Sequence, residues 1–212
     1  MIKPRKIHDL PWAAVILSAG KSARMNDHKA LLRYDSGHNF IGKIVTEYAQ
    51  AGCNHIIVVA NESNIGLLSR QFNYIDAIKP DFILNEHLEY ERFYSIKLGV
   101  AACMEYSKCF IQPCDNPFIT HDLLKKMLQC SSDECFIAPI YKGKKGHPVL
   151  LGTHIMKELC EVKENDLNFK EFLRRFKCLE LDTDNRNILV NINDTEDYQR
   201  FFSSDDENIR NQ

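Results

Sequence analysis

Three cations, Lys21, Arg24 and Lys29, follow the apolar run WAAVIL (12–17) inside the stretch VILSAGKSARMNDHKALL (15–32), with Gly20 between strand and cations. A glycine there can take a positive φ and let the backbone come close to a ligand, while loop N–H groups donate to phosphate oxygens. The pattern therefore points to an anion. A single acid, Asp115, stands in PCDNP (113–117) directly after another apolar run, KCFIQ (108–112). Mg²⁺ asks a protein for one or two carboxylates and takes its other ligands from phosphate oxygens and water. Thr120 is better placed than Asp115 to cap the helix that follows, which leaves the acid free for a ligand.

The spacing rejects two familiar phosphate motifs. A Walker loop needs glycine where Val15 stands, and the G-x-G-x-x-G dinucleotide fingerprint is absent. His147, in G-H-P, reads as part of a rigid turn rather than as a general base. Asp194, in Asp-Thr-Glu-Asp before an apolar helix, reads as a helix cap.

The elements that must position these residues alternate. WAAVIL, HIIVVA (55–60), KCFIQ, CFIAPI (135–140) and ILVNI (188–192) are short apolar runs suited to strands covered on both faces. Helical periodicity marks 41–49 and 169–176, and 62–71, 92–105, 120–130 and 153–160 also read as helices. The class expected is α/β: a Rossmann-like three-layer sandwich, with a mostly parallel sheet and helices on both faces. KGKKGHPVLLG (142–152) reads as a turn between two extended pieces, making the sheet mixed at that end.

The bulk numbers set bounds. A chain of 212 residues suits one domain, read as 1–202, with a polar tail at 203–212. A formal charge of −2 gives no bias toward nucleic acid, so the anion site must be local. None of the eight cysteines forms a C-x-x-C pair, which suits reduced thiols in a cytoplasm. No apolar run approaches a membrane span, and the basic start lacks the apolar core of a signal peptide. A cytoplasmic location is expected.

LSAGKSARMNDHKALL resembles the L-A-[AG]-G-x-S-x-R-M-G-x-x-K-x-L-L signature of the MobA/MocA-like nucleotidyltransferases of molybdenum-cofactor maturation. Further matches follow in family order: NEHLEYERFYSIKLG (85–99), PCDNP, GHPVLLG (146–152) and VNINDTEDY (190–198). The resemblance implies the nucleotide-diphospho-sugar transferase-like fold and transfer of a nucleoside monophosphate from an NTP to a phosphorylated acceptor, with release of pyrophosphate. It further implies Lys21 and Arg24 on the triphosphate, Lys29 at the α-phosphate and Mg²⁺ on Asp115, with Asn193 as the second-site candidate. Leu17, Ser18, Ala19, Gly20, Ser22, Asn85, Ser95, Pro113 and His147 would line the nucleotide and acceptor sites. An acceptor phosphate is already ionised near pH 7 and needs no general base.

Ser18-Ala19-Gly20 resembles the A-A-G loop of the cytidylyltransferases, which implies CTP, with molybdopterin as acceptor and transient contact with a molybdoenzyme or its chaperone. Asn26 and Glu91 stand where the family carries glycine. Glu91 leaves the acceptor open and keeps transfer to a sugar phosphate as an alternative, and guanylyl transfer and a non-catalytic nucleotide-binding or cofactor-delivery protein stand beside it.

Overall fold

The computed structural model describes residues 11–20, 28–72 and 79–202. Lys21, Ser22, Arg24, Asn26 and the tail at 203–212 lie outside the described residues. Eight strands form one sheet in the order β3-β2-β1-β4-β7-β5-β6, with β8 paired to β5. These are β1 (Ala13–Leu17), β2 (His55–Ala60), β3 (Asp81–Leu84), β4 (Lys108–Pro113), β5 (Cys135–Tyr141), β6 (Lys144–Lys145), β7 (Val149–Gly152) and β8 (Lys177–Asp182). The helices are α1 (Phe40–Gln50), α2 (Ile65–Gln71), α3 (Glu91–Ala101), α4 (His121–Gln129), α5 (Thr153–Glu161), α6 (Phe169–Leu173) and α7 (Thr195–Phe202).

Strand β1 shows why the continuous apolar runs become central strands. All five of its residues are buried. Ala14 and Ile16 join the core under α1 and α4, whereas Ala13, Val15 and Leu17 join the core under α3 and α5. Period two thus feeds two helical layers from one strand. Gly99, the last glycine of the 85–99 motif, serves this packing: a Cβ on it would come within 2.3 Å of Val15 Cγ1.

β2, β1 and β4 are parallel neighbours, and β7 joins β4 antiparallel, so the sheet is mixed at the expected end. The β5–β6 hairpin turns through Lys142 and Gly143, both at positive φ, as a tight hairpin of matching twist requires. Helix starts follow the capping residues. Asn39 Oδ1 accepts from Gly42 N at 2.8 Å and Thr120 Oγ1 from Leu123 N at 3.3 Å, the latter as expected.

Three expectations differ. ILVNI is not a strand: a 3-10 helix runs from Arg186 to Leu189 and an extended segment follows. Its carbonyls are taken by a side chain rather than by a neighbouring strand. Asn116 Nδ2 donates to Ile188 O at 3.0 Å and to Val190 O at 2.7 Å. Strands β3 and β8 carry no apolar run longer than three residues, because partly exposed strands need no second buried face. Among the described residues, only Gly52 and Gly143 are glycines at positive φ, so Gly20 does not take that conformation. A Cβ on Gly20 would meet nothing within 4 Å. The backbone there borders open space.

Candidate functional site

The chain leaves β1 toward β2 on one side and reaches β4 on the other, so the strand order reverses between β1 and β4. Open α/β sheets bind ligands at the carboxyl ends of the strands at such a point. Here those ends are Leu17 and Pro113, which are register partners, and Cys114 N donates to Leu17 O at 3.1 Å. The loops 18–20 and 114–116 therefore leave the sheet side by side. The first is fixed from below: Asn64 Nδ2 donates to Ser18 O at 2.8 Å and Asn61 Nδ2 to Ala19 O at 3.1 Å. The second is fixed by the buried Gln112, whose Nε2 donates to Pro113 O and Asn116 O, each at 2.8 Å.

Asp115 is the exposed end of this scaffold in name only. Its Oδ1 is buried and has no hydrogen-bond partner. Burial raises its pKa above the ordinary carboxylate value, and the positive charges of Arg92 and Lys29 offset part of that rise. Both cations thus lie on the same rim as the acid. Among the described residues neither forms an ion pair. Asp115 thus keeps a buried oxygen that no protein donor occupies, with two cations near enough to act on its charge.

His147 is on the same rim. Its pKa is lowered to about 4 by burial and then by Arg92, and its Nδ1 is buried without a partner. The ring is therefore neutral near pH 7. The G-H-P element is held by His147 N donating to Ile188 O at 3.0 Å, and Gly146 is needed there because a Cβ would approach Ile188 O to 2.5 Å. The Cys114 thiol is pushed up to about 12, by burial first and by the Asp115 charge second, which keeps it un-ionised.

Asn85 and Ser95 are turned to one another. Asn85 Nδ2 donates to Ser95 Oγ at 2.8 Å, Asn85 Oδ1 accepts from His87 N at 2.8 Å, and both residues are buried. They shape the passage from β3 into α3. Asn193 is exposed, with Nδ2 donating to Asn191 O at 3.3 Å. It follows Ile192, whose N donates to Asp115 O at 2.8 Å, so this segment reaches the aspartate. Asp194 Oδ1 accepts from Asp197 N at 2.9 Å, the capping bond expected of it.

Arg92 is the site cation that motif spacing did not reveal. Its signal was present in the residue before it: Glu91 occupies the motif's glycine position at φ 53° and ψ −144°, a region that side chains avoid. That turn sets the start of α3, and with it the place of Arg92.

An α/β sheet with a switch point of this kind places the chain in the class of open-sheet folds that bind ligands at the strand ends. Within that class the chain belongs to the family of the MobA-like NTP transferase domain, which matches residues 14–180. It is a nucleotidyltransferase of that family. The molybdenum cofactor cytidylyltransferase of Escherichia coli (strain K12) is 25% identical over 184 residues, spanning 87% of this chain and 92% of that protein. A probable molybdenum cofactor guanylyltransferase of Bacillus cereus (strain G9842) is 29% identical over 147 residues, spanning 68% of each. A nucleotidyl transferase from a Methanothermobacter species shares the fold, with a TM-score of 0.75 and 19% identity over 91% of this chain and 96% of that one. No helix among the described residues is long and apolar enough to cross a membrane.

Proposed function

We propose that this chain transfers a cytidylyl group from CTP to a phosphorylated acceptor of the molybdopterin type, releasing pyrophosphate. The observation that carries the reading is Asp115 at the switch point, whose Oδ1 is buried and unpartnered and whose charge Arg92 and Lys29 are near enough to stabilise. The residues present suit Mg²⁺. Asp115 supplies one carboxylate, and no group of three metal-binding side chains is found among the described residues, so most ligands would be phosphate oxygens and water. Asn193 is the second candidate ligand. The ion, when bound, would neutralise phosphate charge and polarise the reacting phosphoryl group.

The protein's own part is positioning and charge. An acceptor phosphate oxygen attacks the α-phosphorus in line, the bond to the bridging oxygen of pyrophosphate breaks, and no proton has to move. Lys29 and Arg92 stabilise the charge that builds on the phosphates, and the family resemblance assigns Lys21 and Arg24 to the triphosphate. His147, neutral at pH 7, lines the acceptor side without taking a proton. The Ser18-Ala19-Gly20 loop supports CTP, and the cytidylyltransferase relative covering most of the chain supports it further. The guanylyltransferase relatives keep GTP as the second reading.

The test is pyrophosphate release with molybdopterin, Mg²⁺ and each of CTP, GTP, ATP and UTP. CTP is expected to support the fastest release. A strict preference for GTP would overturn the base assignment, and turnover unaffected by Asp115→Ala would overturn the metal assignment.

A further inference from the structure

A cavity of about 640 Å³ lies between the 3-10 helix Arg186–Leu189 and α7, and of its lining residues the chemistry above uses Asn193 alone. Its volume falls in the range of metabolite sites, roughly 300–1,000 Å³. Arg186 from the 3-10 helix and Arg200 from α7 both line it. Neither arginine forms an ion pair among the described residues. Asn191 and Asn193 also line it. Between them Ile192 is fully buried in the cluster of Phe40 and Phe118, so its two neighbours turn the other way, as alternation in an extended segment requires. The Oδ1 of Asn191 is buried without a partner. Phe201 supplies an apolar wall.

One acid, Asp197, shares the lining, but its Oδ2 already accepts from Asn193 N at 2.9 Å. Two cations against one committed carboxylate leave a net positive cavity. Guanidinium groups present a planar fork of donors that suits phosphate and carboxylate oxygens, and an open amide beside an aromatic wall suits a flat polar ring.

We infer that this cavity is an anion-binding subsite, formed by Arg186 and Arg200, that holds a ring-bearing acceptor through an anionic group other than the one that reacts. It is joined to the reacting centre by the Ile192 to Asp115 backbone hydrogen bond, 2.8 Å long. The word acceptor rests on the nucleotidyl-transfer reading, whereas the anion site does not.

The test titrates the full-length chain with phenyl phosphate, and in parallel with inorganic phosphate, following backbone amide shifts by NMR. Saturable shifts are expected at Asn191, Asn193 and Phe201, with phenyl phosphate the tighter of the two. Arg186→Gln and Arg200→Gln are each expected to weaken binding about tenfold, with part of the loss restored by lysine at either position. Both arginines are exposed, so the variants keep the fold, which the dispersion of the amide spectrum checks. Shifts confined to residues 18–20 and 115, or unchanged affinity in the doubly substituted chain, would overturn the subsite. A thermal-shift arm with Mg²⁺ and CTP separates the two readings. Equal stabilisation of the wild-type and doubly substituted chains is expected. Loss of it in the variant alone would assign the arginines to the nucleotide and overturn the subsite. Its absence in both would remove the nucleotidyl-transfer reading and leave the anion site standing on the phosphate data.

Discussion

The side chain of Asn116 is tied to the backbone of Val190: Nδ2 donates to Val190 O at 2.7 Å, across 74 residues of sequence. The same nitrogen reaches Asn187 O and Ile188 O at 3.3 and 3.0 Å. One buried amide thus joins the loop that carries Asp115 to the segment that carries Asn193. Asn116→Ala would leave these carbonyls short of a donor, at a cost of about 2 kcal/mol. Denaturant unfolding is expected to show that loss. Turnover should fall as well, because the segment whose Ile192 N donates to Asp115 O loses its tie to the Asp115 loop.

Asp115→Asn removes a buried charge with an unpartnered oxygen while keeping the side chain's size. The apo protein is expected to gain about 1 kcal/mol, as substitutions at functional acids often do. Pyrophosphate release should fall on the order of 10²-fold or more. A variant less stable than the wild type without metal would show that the carboxylate is paid back inside the protein.

Arg92, at the start of α3, is near enough for its charge to act on Asp115, Cys114 and His147. Replacing it with alanine is expected to lower kcat/KM by roughly 10- to 100-fold, with lysine restoring part of the loss. Unchanged kcat/KM in the alanine variant would place the guanidinium outside the reacting centre.

Glu91 sits at φ 53° and ψ −144°, where a side chain costs about 1–3 kcal/mol. Glycine relieves that strain and gives back less than 1 kcal/mol through its freer unfolded chain. Glu91→Gly is therefore expected to raise Tm by a few degrees, of order 2–4 °C per kcal/mol at this chain length. Differential scanning calorimetry checks this directly.

His147 carries the pH signature. Its folded pKa is lowered to about 4 from an ordinary 6.5, chiefly by burial. As pH falls below 6.5 the unfolded chain takes up a proton that the folded chain refuses, so stability drops until about pH 4 and then levels. The full effect is about 3 kcal/mol. Unfolding free energies at pH 7 and pH 4.5 should differ by less in His147→Gln than in the wild type.

Much of the fold was legible because its central strands are buried on both faces. WAAVIL, HIIVVA, KCFIQ and CFIAPI are continuous apolar runs for that reason, and each forms a strand. β3 and β8 were missed because a partly exposed strand leaves no such run. ILVNI misled because an apolar run also suits a segment packed on an aromatic cluster, with Asn116 as hydrogen-bond donor in place of a strand. In the candidate site, Lys29 and Asp115 could be proposed from their positions after β1 and β4. Arg92 could not, since nothing in a linear motif says that a residue 23 positions before Asp115 will share its rim.

The sequence by itself determined the alternation of strands and helices, the family, and the two loops that border the site. Those follow from periodicity and from side-chain chemistry, which are local properties of a chain. Only the tertiary structure decided that Leu17 and Pro113 would be register partners, that Asp115 would be buried with an unpartnered oxygen, and that Arg186 and Arg200 would face one cavity. These depend on strand order and on the hydrogen bonds of Gln112 and Asn116, contacts whose free energy exists only once distant segments have met.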